Sequence, residues 1–391
     1  MRGASAHDGV ADGASAHEGV RGARAYEGVA DGARISDGVR TADGARIIYG
    51  EDATGPGVVI GLLGPTAVGK TAVGVELARL LADRSAGLSG AGSTSRCTGR
   101  VISCDSMQVY RGFPVLTNQP RAEEVRGVAH ALVGLVDPSL EFSAVEYAHV
   151  ARPLIAEGLA SQGWALLVGG TGLYMRAALA PLAVAEGGDP ELRARLEARA
   201  AAEGPAALHA ELARVDPRAA DAIDARNIRR VVRALEVVTL SGAAWSGRSD
   251  LWAPAYYHPT LVVGLVAQRE ELYRRIDARA ARIVEEGAVE EVRRFRRERG
   301  AEGSRPGRGG IRSAIGYPDI CRYLDGQQTR EETVAQVAAA TRRYARRQIT
   351  WLRKLEDAVI IDAHERSPAE VAAEVLALAL SGAHTKGPHH P

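Results

Sequence analysis

The stretch VVIGLLGPTAVGKT, residues 58–71, sets two glycines, a lysine and a threonine at the spacing G-x-x-x-x-G-K-T. An apolar run precedes it and helix-forming residues follow it, the strand-loop-helix setting in which this spacing binds phosphate. Glycine lets backbone N–H groups face phosphate oxygens with no Cβ in the way, and the amino end of the next helix adds partial positive charge. Gly64, Pro65, Thr66, Ala67, Val68, Gly69, Lys70 and Thr71 are therefore expected to hold a diphosphate. Lys70 would neutralise it, and Thr71 would offer a hydroxyl to Mg2+. Spacing alone leaves open whether that group is hydrolysed, transferred or released.

Two further motifs follow strand-like runs. RVISCDSMQVYRG ends its apolar run at Asp105, a carboxylate able to hold magnesium, act as a base or cap a helix, with Gln108 and Tyr110 positioned to bond or stack on a base. WALLVGGTGLYM brings Gly169 and Gly170 close to any ligand and adds the hydroxyl of Thr171; a plain strand-to-helix turn is the other reading. Arginines cluster twice: Arg229, Arg230 and Arg233 within one helical turn, and Arg342, Arg343, Arg346, Arg347, Arg353 and Lys354 around Tyr344 and Trp351. Guanidinium groups interleaved with aromatics suit phosphates and unstacked RNA bases, although a solvated helix face would look the same.

Elements to carry these residues are legible from residue 57 onward. GVVIGLL, RVISCD, WALLVGG, LVVGLV at 261–266 and AVIID near 358 read as strands, with TAVGVELARLLADR as the helix after the first loop. Residues 85–99 read as a loop of small residues. The expected fold is α/β, a P-loop NTPase-like parallel sheet core over 55–182 and 257–380 with a helical insertion domain over 183–256. DPELRARLEARAAAEG and IRRVVRALEVVTLSG are the insertion's clearest helices, and EETVAQVAAATRRYARRQITWLRKL is the last large one. Residues 1–54 repeat a glycine-rich unit of about ten residues with few large apolar side chains, so disorder is expected there, and a frayed tail over 381–391.

The 391 residues carry 46% hydrophobic and 25% charged residues, an ordinary globular mixture, and a net charge of +1 that favours no polyanion on its own. Lysine occurs only at Lys70, Lys354 and Lys386, so arginine number alone is weak support for RNA binding. Cys97, Cys104 and Cys321 lack metal-ligand spacing. No apolar run is long enough to span a membrane and no secretion signal is present, so a cytoplasmic protein is expected.

Taken in order, GPTAVGKT, DSMQVYRG, GGTGLYM, RRVVRALEV, AIGY and TRRYARRQITWLR resemble the tRNA dimethylallyltransferase family over residues 57–363. The resemblance implies an enzyme that moves the dimethylallyl group of dimethylallyl diphosphate to the exocyclic amine of the adenosine 3′ of the anticodon, with Mg2+ as cofactor; a monomer is expected. It implies Asp105 as base, Thr171 as the residue orienting the amine, and Lys70 as the cation on the departing diphosphate. By the same resemblance the tRNA anticodon stem-loop would meet Asp105, Ser106, Met107, Gln108, Thr171, Arg193, Arg229, Arg230, Val231, Val232, Arg233, Arg312, Gly316 and Tyr317. The chain departs from the family's pattern at Asn227-Ile228, where Asp-Pro is usual, at PVLTNQP, which lacks a lysine, and at VAHALVG, which keeps one histidine, His130. An adenylate isopentenyltransferase, a P-loop small-molecule kinase and a non-catalytic GTPase-like RNA-binding module are the competing readings; the RNA-facing motifs disfavour the first, and no N-K-x-D motif supports the last.

Overall fold

The computed structural model of the chain describes residues 57–88, 99–181, 189–248, 255–304 and 309–381. Expectations for 1–54, for most of the small-residue loop and for residues 382–391 fall outside that set.

Among the described residues six strands form one wholly parallel sheet: β1 (Val58–Leu63), β2 (Arg100–Ser103), β3 (Ala129–Ala131), β4 (Trp164–Val168), β5 (Thr260–Val266) and β6 (Val359–Asp362). Their order is β3-β2-β4-β1-β5-β6, so β2, β4 and β1 are neighbours at the centre. Helices cover both faces, which is why the strands are almost continuously apolar rather than alternating with polar residues. Along β1, Val59 and Leu63 point to one layer while Ile60 and Leu62 point to the other.

On the first face lie α3 (Ala144–Gln162), α4 (Gly172–Leu179), α10 (Ala288–Ser304) and α11 (Tyr317–Leu324). The second face holds α1 (Lys70–Leu88), α9 (Arg269–Glu286), α12 (Arg330–Leu352) and α13 (Pro368–Leu380). Local sequence fixes several helix starts: Ser143 with Glu146, Thr329 with Glu332 and Ser367 with Glu370 make reciprocal capping boxes. Gly163, at φ +73°, closes α3 in the left-handed conformation that glycine adopts without a Cβ clash.

Two short elements escape the sequence pattern. β3 is only three residues long, and α2 (Ala122–Val125) is a single turn. The reading of 85–99 as loop is corrected at its start, because α1 continues through Leu88.

Between β4 and β5 the chain leaves the sheet for α5 (Pro190–Glu203), α6 (Pro205–Val215), α7 (Pro217–Ala222) and α8 (Ile228–Ser241). Leu192, Leu196, Leu208, Leu212, Val231, Val232 and Leu235 give these helices a small core of their own. Asn227 occupies the cap position of α8 and its side chain accepts from the Arg230 amide, so the substitution for Asp-Pro still starts the helix.

Candidate functional site

Three loops leave the carboxyl ends of β1, β4 and β2 side by side, the crevice where open parallel sheets bind ligands. The first is the phosphate loop. Gly64 passes so close to β5 that a Cβ there would lie 2.6 Å from the Leu265 carbonyl oxygen. Ala67 sits at φ +68° and Gly69 at φ +105°, and a non-glycine residue held in the left-handed region is strain characteristic of ligand-binding loops. Lys70 opens α1 and folds over its own loop, Nζ donating to the Pro65 carbonyl at 2.9 Å. Burial pulls its ammonium down to about 8, Asp105 opposing that shift and Arg279 adding to it. Thr71, in the first turn of α1, is half-buried.

The loop after β2 carries Cys104 and Asp105. Asp105 does not begin a helix, and the helix-cap reading is corrected: it precedes a turn over residues 106–109, and its carboxylate accepts from the Met107 amide at 2.9 Å. Asp105 is half-buried, and its charge acts on Lys70 from the phosphate loop. The loop after β4 packs directly on it. A Cβ on Gly169 would fall 1.9 Å from the Cys104 carbonyl oxygen, so only glycine permits the two backbones to meet. Thr171 donates its N–H to that same Cys104 oxygen at 3.2 Å, and its Oγ1 accepts from the Ser106 amide at 3.1 Å. Lys70, Asp105 and Thr171 thus hang from three adjacent strands.

Two residues absent from the sequence reading enter here. Arg279 on α9 donates from Nη1 to Thr66 Oγ1 at 3.2 Å, putting a second, half-buried cation against the phosphate loop. Gln348 on α12 accepts from the Thr66 amide at 2.8 Å and donates to the Gly170 carbonyl at 2.9 Å. The signal for Gln348 was present: on the buried face of α12 it falls between Ala345 and Leu352, a polar residue on an apolar stripe. Nothing comparable distinguishes Arg279 among its arginine neighbours.

The residues assigned to RNA divide by helical phase. Arg229 and Arg230 are exposed and Arg233 is half-buried against Glu236, whereas Val231 and Val232 are 1% and 2% exposed and belong to the helical core. Those two valines are therefore withdrawn as side-chain contacts. Tyr317, wholly buried against Phe113 and Phe295, is withdrawn for the same reason, and Gly316 beside it is buried at φ +93°. Tyr110, 3% exposed, has no face for a base to stack on. The amide of Gln108 is committed at both ends, accepting from Ser103 Oγ at 2.9 Å and donating to the Asn118 carbonyl at 2.8 Å. Ser106, Met107 and Arg312 are half-buried. Arg193 holds the fully buried Glu236 at 3.1 Å, jointly with Arg233 at 2.7 Å.

Oxygen donors in this crevice, the Thr71 hydroxyl and the Asp105 carboxylate, have the chemistry Mg2+ prefers: one or two protein ligands supplemented by diphosphate oxygens. Among the described residues no group of three or more His, Cys, Asp or Glu side chains could hold a metal by itself.

A family model described as IPP transferase matches residues 108–355, beyond the phosphate loop. The tRNA dimethylallyltransferase of Thermomicrobium roseum is 40% identical over 299 residues, 76% of this chain and 84% of that protein. The Myxococcus xanthus tRNA dimethylallyltransferase is 41% identical over 302 residues, 77% and 91% of the two chains. Among solved structures, the Bacillus halodurans tRNA isopentenylpyrophosphate transferase is similar at 35% identity and TM-score 0.57, covering 83% of this chain and 96% of that one. A eukaryotic dimethylallyltransferase acting on tRNA, 24% identical, shares the fold at TM-score 0.67 over 83% of this chain and 78% of that one.

Proposed function

The chain belongs to the IPP transferase family, and on that premise we propose that it is a tRNA dimethylallyltransferase, moving the dimethylallyl group of dimethylallyl diphosphate to N6 of the adenosine 3′-adjacent to the anticodon. The observation that carries the reading is the meeting, on three adjacent strands, of a phosphate loop, a carboxylate and a hydroxyl: Lys70, Asp105 and Thr171.

The bond that breaks joins the allylic carbon to a diphosphate oxygen, and the bond that forms joins that carbon to N6. Negative charge collects on the diphosphate as it leaves. Lys70 and Arg279 supply fixed positive charge there, which is worth most at the transition state. Mg2+, held through Thr71 and the diphosphate, would add Lewis-acid neutralisation of the same charge. The adenine amine is a weak nucleophile because its lone pair is delocalised into the ring. Asp105 accepts the proton that N6 sheds as its new bond forms, and Thr171, fixed by the Ser106 amide, orients the amine.

Reaching a base within the anticodon loop requires turning it out of the stack into this crevice. Arg229 and Arg230, exposed on α8, suit the phosphates of the stem-loop. That helical subdomain favours an RNA acceptor over the free nucleotide of an adenylate isopentenyltransferase. We place the enzyme in the cytoplasm as a monomer; no described helix is long and apolar enough to cross a membrane.

The test is transfer from radiolabelled dimethylallyl diphosphate to bulk tRNA, followed by nucleoside analysis. Asp105→Ala should keep tRNA affinity within about threefold and lose roughly 10²- to 10⁴-fold in kcat. Near-normal turnover would remove Asp105 as base, and ATP-dependent phosphorylation in place of prenylation would favour a kinase.

A further inference from the structure

The carboxyl half of α12 aims three side chains, Tyr344, Gln348 and Trp351, at the site loops. Spaced i, i+4 and i+7, they stand on one helical face. The Tyr344 hydroxyl lies near the Thr171 side chain, which opposes the rise that burial imposes on its pKa. Trp351 lies against Gly172 so closely that a Cβ there would meet Trp351 Cε3 at 2.7 Å. Between them Gln348, 7% exposed, spends both ends of its amide on the two loops that flank the crevice: Oε1 on the Thr66 N–H at 2.8 Å and Nε2 on the Gly170 carbonyl at 2.9 Å.

We propose that Gln348 is a positioning residue whose single amide sets the separation between the diphosphate loop and the acceptor loop, and thereby the distance from allylic carbon to N6. The inference rests on the function proposed above. Three features support it over ordinary core packing. The amide bridges two loops rather than a helix and its neighbour, and those loops belong to opposite halves of the reaction. Its fit is tight, since a Cβ on Gly170 would fall 2.1 Å from Gln348 Nε2. Both of its bonds end on backbone groups, so they constrain loop position rather than a rotatable side chain. One residue along the loop from each contact, Pro65 receives Lys70 Nζ and Thr171 meets Ser106, so moving either loop moves the chemistry.

Displacement of the reacting groups by about 1 Å costs on the order of 100-fold in rate. It also changes the products. As the carbon–oxygen bond of dimethylallyl diphosphate opens, an allylic carbon whose amine is out of reach is taken by water: the water oxygen bonds to carbon, its proton goes to solvent, and diphosphate leaves with the bonding pair. Diphosphate is then released without a modified adenosine.

The experiment measures diphosphate released and N6-dimethylallyladenosine formed, in parallel, for the full chain and for Gln348→Leu and Gln348→Glu, with active sites counted by tRNA bound at saturation. Gln348→Leu removes both bonds. Gln348→Glu keeps the acceptor for Thr66 and loses the donor for Gly170, and it carries the test if the leucine variant does not fold. The unaltered chain should release one diphosphate per modified adenosine. Each variant should show kcat for transfer reduced on the order of 10- to 100-fold per active site, with KM for dimethylallyl diphosphate changed far less, and diphosphate release exceeding transfer at least about twofold. Release and transfer falling in equal proportion, or transfer unchanged, would overturn the inference and leave Gln348 as packing. Absence of transfer by the unaltered chain would instead overturn the proposed function, and with it the premise of this inference.

Discussion

Lys70 makes the most quantitative demand on the reading of the phosphate loop. Burial lowers its ammonium from the ordinary 10.5 to about 8, Asp105 pulling it back up and Arg279 pushing it further down. The ammonium is the form that binds a diphosphate, so affinity is present below the pKa of the free protein and lost as pH rises through it. Above about pH 8 each further unit removes about nine-tenths of that form, and affinity should fall roughly tenfold per unit until the pKa of the complex is reached. The assay is isothermal titration with the unreactive thiolo analogue of dimethylallyl diphosphate, whose diphosphate stays ionised across the alkaline range. Three substitutions test the causes separately. Lys70→Arg should bind with no alkaline loss, because guanidinium does not titrate there. Asp105→Asn should move the loss to lower pH by removing the charge that favours the ammonium. Arg279→Gln should weaken binding yet move the loss to higher pH, since a repelling cation is gone. An unaltered chain with flat affinity from about pH 7 to about pH 10 would refute the reasoning, as would a shift of either neighbour variant in the opposite direction.

Gly169→Ala should destabilise the fold by roughly 3 kcal/mol in chemical denaturation, because the new Cβ meets the backbone oxygen of Cys104 at 1.9 Å and neither backbone can yield. Glu236→Ala, which strips the wholly buried carboxylate shared by Arg193 and Arg233, should cost on the order of 3 kcal/mol in the same measurement, whereas exposed Arg230→Ala should leave stability within about 0.5 kcal/mol.

How much of this was legible follows from where each signal resides. The phosphate loop, Asp105 and Thr171 sit within a few residues of strand ends, and a strand buried on both faces is conspicuous as an apolar run, so β1, β2, β4 and β5 were all placed with their loops. β3 was not, because three residues, one of them His130, cannot establish a pattern. Motifs carried over as blocks misled where a helix divides them: RRVVR reads as one basic unit, yet a 3.6-residue turn points Arg229 and Arg230 outward and Val231 and Val232 inward. Tyr317, an aromatic in a recognisable motif, likewise turns its side chain into the core with Phe113 and Phe295. Arg279 and Gln348 come from helices far along the chain and reach the site only through α9 and α12 packing on the sheet. Sequence proximity therefore says nothing about them.

The bond from Gln348 to Thr66 spans 282 residues. At 5–20 residues per second, roughly 15 to 55 s of synthesis separate the emergence of the phosphate loop from the emergence of the side chain that anchors it. During that interval the nascent chain can build β1, β2 and β4 with their loops, but those loops lack the amide that joins them. The enzyme's own acceptors, charged and uncharged tRNAs, crowd the ribosome on which it is being made. A site whose two loops are joined by Gln348 gains its full transfer geometry only after those 282 further residues have been made.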